Sequence, residues 1–157
     1  MVLIHSTVVA TVDAEGHPVT RVIDMMLHDY GPDRYSGSVN IEIDHKRSIG
    51  EVYEEIHRLQ LRIMEEYHVT MVFGIYAVDE DTAAIVDIRR YIGKFVRVNE
   101  HVKSFHALYL SKETGTLYCD LIVDYALRDW EELRESFVEY MKKQYPEYEI
   151  SLTIETE

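Results

Sequence analysis

The sequence predicts an α+β fold built from two tandem αββαβ modules, residues 1–78 and 79–157. Three observations predict it. Apolar and polar residues alternate along Ser38–Asp44 and again along Thr116–Asp124, which is the signature of strands with one buried face. Ser48 with Glu51, and Asp129 with Glu132, place a capping pair ahead of apolar residues at helical spacing. The two sets of features recur at an interval of roughly 80 residues, the scale of a small domain that folds alone.

At the amino end, Ser6 is a candidate N-cap, and Val8, Val9 and Val12 share a helical face as far as Glu15. Gly16 then supplies the stop, and Pro18 blocks continuation. The many β-branched residues leave a strand as the competing reading of this stretch. Val19–Asp29 and Tyr35–Asp44 form a hairpin around Gly31-Pro32-Asp33, because Pro presets the backbone for the second position of a tight turn. Val52, Ile56, Leu59 and Ile63 then form a helical stripe that runs to about Tyr67, and Val69–Val78 is an apolar segment of strand length.

The same order follows after Asp79-Glu80-Asp81. Asp81 can cap a helix whose stripe is Ile85, Ile88, Ile92, Phe95 and Val96. Val102–Leu110 and Thr116–Asp124 are strands around a Ser111–Gly115 turn. The helix opening at Asp129 carries Trp130, Leu133, Phe137 and Met141, and ends before Pro146. Glu149–Glu155 is the last strand. Right-handed crossover is expected to place the first strand of each module between the other two, with both helices on one face.

Composition bounds the function. The net charge of −13 argues against nucleic acid, whose binding relies on clustered Lys and Arg, and is compatible with cationic partners or with solubility alone. A single Cys119 rules out an internal disulfide framework and fits a reducing cytosol. The longest apolar run, Met71–Val78, falls far short of the ~20 residues of a membrane helix, and the first residues lack the basic and apolar regions of a signal peptide. A soluble chain is expected. No nucleophile motif or phosphate loop occurs, so an enzyme is not expected. Cys119 alternates with Leu117 and Leu121, the pattern of a buried small hydrophobe.

Val22-Ile23-Asp24-Met25-Met26-Leu27-His28-Asp29-Tyr30-Gly31-Pro32, followed by Ser38-Val39-Asn40-Ile41-Glu42-Ile43, resembles the cytoplasmic domain of cation diffusion facilitator transporters. The likeness runs from Val19 to about Val78, and Val102–Glu157 is similar to the second copy of that domain found in some bacterial members. The resemblance implies a ferredoxin-like, metallochaperone-like fold, a homodimer, and binding of zinc or related divalent ions. It also implies a cytoplasmic place beside a membrane-spanning transport part. Within the likeness, the family's ligand positions are altered. Ile23 stands where the family carries a His, Asn40 occupies the second-strand position, Tyr53 that of the helix, and Val69–Val78 holds neither His nor Asp. Ile has no lone pair for zinc, and neutral Asn and Tyr are poor substitutes for imidazole. The resemblance therefore implies that the first module has lost its site.

In the second module His106 lies where the family's His-Asp pair begins, with Ala107 in place of the Asp. Asp120 takes the second-strand position, and Glu155 and Glu157 the third. Alternation puts Asp120 and Glu155 on the polar side of their strands. His106 is expected on the central strand between them, and its facing is open because Leu108 and Leu110 share its parity. An imidazole with two carboxylates suits Zn²⁺ or Mn²⁺. The other reading is a core-packed His106 with solvated Asp120 and Glu155. His5, His17, His45, His57, His68 and His101 form no i,i+4 pair and read as scattered surface residues.

The expected function is thus a regulatory and dimerising region of a divalent-cation efflux transporter, with His106, Asp120 and Glu155 as its metal ligands. The rivals are a metal-independent dimerisation module and a small-molecule sensor of ferredoxin-like fold.

Overall fold

The computed structural model describes Ser6, Ala10 and residues 19–32, 34–80 and 82–156. The helix expected over Ser6–Glu15 lies outside these residues except at Ser6 and Ala10, which are helical, and so do Asp33, Asp81 and Glu157. The chain is α+β and divides into two compact units, Met1–Val78 and Asp79–Glu157.

The first unit contains β1 (Val19–Asp29), β2 (Tyr35–Asp44), α1 (Ile49–Tyr67) and β3 (Val69–Val78). β1 and β2 are antiparallel, and β2 and β3 are parallel. The hairpin closes where the Arg34 N–H donates to the Gly31 carbonyl at 3.1 Å, with Pro32 at the second turn position. Gly31 has φ +111°, which Gly tolerates at no steric cost, and its N–H donates to Asp29 Oδ1 at 2.9 Å. Ser48 caps α1 reciprocally: its Oγ accepts from the Glu51 N–H, and its own N–H donates to Glu51 Oε2 at 2.9 Å. Val39, Ile41 and Ile43 of β2 bury against Val52 and Ile63 of α1, with Val69 and Met71 of β3 beside them.

The second unit contains α2 (Ala83–Val98), β4 (Val102–Ser111), β5 (Thr116–Val123), α3 (Trp130–Gln144) and β6 (Glu149–Thr156). β4 and β5 are antiparallel, and β5 and β6 are parallel. Asp79, rather than a residue of the first helical turn, takes the N–H of Thr82 at the start of α2. Asp129 accepts from the Glu132 N–H at 2.9 Å and opens α3. Both helices pack on one face. Ile85, Ile88, Ile92 and Phe95 of α2, and Leu133, Phe137 and Met141 of α3, cover Leu117, Cys119, Leu121 and Val123 of β5.

One expectation about topology is overturned. In both sheets the central strand is the second of the unit, β2 or β5, and the first strand forms an edge. With three strands the crossover has nothing to skip. The hairpin partner occupies one side of the second strand, and the helix returns the chain to its other side as a parallel neighbour.

Candidate functional site

The site begins with an irregularity in β4. Phe105 pairs with Leu121 and His106 with Asp120, but the next pairs are Tyr109 with Tyr118 and Leu110 with Leu117. Ala107 and Leu108 therefore oppose Cys119 together, which is a β-bulge. Ala107 adopts φ +54°, the left-handed region, where a β-carbon costs roughly 1–2 kcal/mol. The extra residue inverts the alternation: Phe105, Leu108 and Leu110 pack with the helix-side core, while His106 and Tyr109 point to the opposite face. The Leu108 carbonyl accepts from the Asp79 N–H at 3.3 Å.

The bulge thus settles the facing of His106, which turns away from Leu108 and Leu110 and toward Asp120. The strand order changes the arrangement expected around it. Asp120 lies on the central strand, with His106 on one flank and Glu155 on the other. Glu155 pairs with Ile122, so its side chain reaches diagonally across β5 to the imidazole. His106 Nδ1 is 3.7 Å from Asp120 Oδ2, and His106 Nε2 is 3.9 Å from Glu155 Oε2. The His106 and Asp120 side chains are buried, with 6% and 8% of their surface exposed, whereas Glu155 retains 36%. Asp120 is therefore not a solvated carboxylate, and His106 is not packed in the helix-side core.

These distances bound the chemistry. Both exceed the usual N–H···O hydrogen-bond range of about 2.7–3.2 Å. Both are shorter than two zinc–ligand bonds of ~2.0–2.2 Å laid end to end. The carboxylates address different ring nitrogens, so all three residues converge on one ion only if Glu155 and Asp120 swing to the same nitrogen. Among the described residues, no three His, Cys, Asp or Glu side chains are already gathered as a metal cluster. Cys119 lies beneath the bulge on the other face, and burial pushes its thiol up, so it supplies no thiolate here.

The first sheet shows what occupies the corresponding places. β1 also carries two register shifts, between Val19 and Arg21 and between Val22 and Asp24, as β4 does between Val102 and Ser104 and between His106 and Tyr109. The repeat therefore extends to the irregularities of the hairpins. The residue opposite Asn40 is Asp24, and Ile23 is the additional residue of the bulge. Strand alternation alone does not reveal Asp24 at this position, because the bulge shifts the count by one. Across β2, Asn40 pairs with Gly74, where a β-carbon would overlap Asn40 Oδ1. Tyr76, opposite Glu42, matches Glu155, opposite Ile122. Tyr53 is exposed on α1, stacked on His57 with ring centroids 5.9 Å apart.

His101 and Asp124 make a second imidazole–carboxylate contact. His101 Nδ1 is 3.2 Å from both carboxylate oxygens, at the end of the β4–β5 pair. Hydrogen bonding to His101 holds the Asp124 carboxyl below its ordinary value, helped by the Ala126 N–H. No helix among the described residues is long and apolar enough to cross a membrane. No protein-family model matches the chain, and no curated protein matches it significantly.

Proposed function

We propose that this chain is a regulatory region of cation-efflux type: two ferredoxin-like, metallochaperone-like modules that pair as a homodimer and position a membrane-spanning transport part from its cytoplasmic side. Ion sensing in this reading belongs to His106, Asp120 and Glu155, with Zn²⁺ or Mn²⁺ as the ion. The supporting observation is the bulge at Ala107, which brings His106 onto the face of Asp120 and Glu155 at the cost of a strained residue. Backbone strain kept at one place is a pointer to function rather than to stability. An ion there acts by population shift, favouring whichever arrangement of the chain draws the two carboxylates toward the imidazole.

Melting curves of the chain with and without Zn²⁺ or Mn²⁺ test the reading. A ligand that binds only the folded state raises the melting temperature in proportion to the logarithm of its concentration over Kd. The expected result is a rise for the parent chain and none for His106→Ala or Asp120→Ala. A parent chain that ignores both ions, or variants that respond unchanged, would overturn it. A second reading, metal-independent dimerisation, draws on one observation: the two carboxylates face different ring nitrogens, so the trio as it stands does not enclose an ion.

A further inference from the structure

The second unit holds a cavity of about 290 Å³ between the start of α2, the β4–β5 turn and the residue before β6. Ile85 of α2 and Leu110 of β4 give it apolar walls, with Tyr148 beside them. Two side chains of opposite charge, Asp79 and Lys112, also line it. They are held very differently. Asp79 is 4% exposed and fixed at three points: its N–H donates to the Leu108 carbonyl at 3.3 Å, its Oδ1 accepts from the Thr82 N–H at 3.1 Å, and its carbonyl accepts from Arg89 at 3.4 Å. A carboxylate offers about four acceptor directions, so the bond to Thr82 does not exhaust it. Lys112 is exposed in the turn, on a flexible stem that can follow what enters.

From this lining we infer that the cavity binds a small zwitterion, an aliphatic α-amino acid. Its ammonium meets Asp79, its carboxylate meets Lys112, and its side chain lies against Ile85, Leu110 and Tyr148. Charge selects the ligand class. A carboxylate with no ammonium would face Asp79 on a chain of net charge −13, and an amine with no carboxylate would face the Lys112 ammonium. A zwitterion answers both groups and carries no net charge of its own. Ligand pockets usually start at about 300 Å³, so this one suits a short branched or linear side chain rather than a nucleotide. A preorganised buried carboxylate beside apolar walls is what fixes the orientation of so small a molecule. The cavity lies on the helix side of the sheet, away from His106 and Asp120, so the inference does not depend on the ion reading.

Titration calorimetry of the full chain tests it, with a chelator present so that no ion at His106 contributes. The probes are L-valine, L-leucine and L-methionine, with isocaproate and isoamylamine as controls that keep the leucine side chain but lack the ammonium or the carboxylate. The expected results are binding of at least one of the three amino acids, and isocaproate and isoamylamine weaker than L-leucine by roughly tenfold or more, the worth of one hydrogen bond to a charged group. Asp79→Asn and Lys112→Met should each weaken the bound amino acid by a similar factor. Asn keeps an oxygen for the Thr82 N–H, and Lys112 is a surface residue, so circular dichroism should be unchanged in both. A control that binds as tightly as L-leucine overturns the zwitterion. No heat with any of the three amino acids, or undiminished binding by Lys112→Met, overturns the site.

Discussion

Tyr91 of α2 and Tyr140 of α3 donate their phenolic hydroxyls to each other's backbone carbonyls, at 3.2 and 3.0 Å, across rings stacked 4.2 Å apart. This reciprocal pair ties the two helices of the second unit together above the β5 core, with Phe95 and Tyr145 packed against it. Tyr140→Phe removes one donor, leaves the Tyr91 carbonyl without that partner, and should cost about 1–2 kcal/mol. Urea denaturation should show a lower midpoint with an unchanged slope.

The same pair predicts an alkaline limit. Burial is the main cause that pushes the Tyr140 hydroxyl above its ordinary value, with neighbouring Tyr91 adding to it, and burial does the same for Tyr145. A raised value in the folded state means the native protein holds the proton more tightly than the unfolded chain. The associated stability is fully present below the ordinary phenol value of about 10 and is lost as pH rises above it. Denaturant midpoints measured across that range should fall, and Tyr140→Phe should flatten the decline.

At the acid end the sign reverses. Asp124 is held low by its hydrogen bond to His101, so its contribution is present above the ordinary carboxylate value near ~3.9 and disappears as pH falls through the lowered one. Asp124→Asn should abolish that part of the acid dependence while leaving the alkaline limit unchanged. A parent and variant with superimposable acid profiles would remove His101–Asp124 from the account of acid stability.

Two glycines are expected to respond oppositely to alanine. At Gly37 an added β-carbon would lie 2.7 Å from the Met26 carbonyl oxygen and 2.6 Å from Met71 Sδ, within the central strand of the first sheet. Backbone cannot yield as a side chain can, and Gly37→Ala should destabilise by about 1–3 kcal/mol. Gly93 sits inside α2 with nothing within 4 Å of the new carbon. Gly93→Ala should therefore stabilise by about 0.5–1 kcal/mol, since Gly in a helix interior loses more backbone freedom. Thermal melts of both variants against the parent decide the signs.

Much of this architecture can be read from local pattern. The alternation of Val39, Ile41 and Ile43 marks the core face of β2, and Ser48 with Glu51 places the start of α1. Asp129 with Glu132 does the same for α3. Strand order is not local: whether β1 or β2 is central depends on where the helix delivers β3, which side-chain pattern does not encode. Nor does the sequence announce the bulge that aims His106. A left-handed residue is usually signalled by Gly or Asn, and here it is Ala107, between residues whose parity suggests an unbroken strand. Reading Val102–Ser111 as regular leaves His106 sharing a face with Leu108, and only the register of β4 against β5 separates them.

That register makes Ala107 the most informative position to change. Gly at this place removes the left-handed penalty of roughly 1–2 kcal/mol and gives back about 0.5–1 kcal/mol in unfolded-chain freedom. Loss of the buried Ala107 methyl costs about 0.8 kcal/mol more, so Ala107→Gly should leave stability within about 0.5 kcal/mol of the parent and keep His106 facing Asp120. Ala107→Val places a β-branched side chain in the same left-handed conformation at a site that is 5% exposed, and should destabilise by about 2 kcal/mol or more. The Gly variant should retain whatever ion response the parent shows, and so should deletion of Ala107, because without the extra residue Leu108 pairs with Cys119 and plain alternation keeps Phe105, Leu108 and Leu110 on the core face and His106 opposite Asp120. Melting temperatures give the stability order, and the ¹H–¹⁵N chemical shifts of the His106 ring report its surroundings directly. A Gly or deletion variant that folds with altered ring shifts would show that the direction of His106 depends on Ala107 itself and not on the register of β4 against β5.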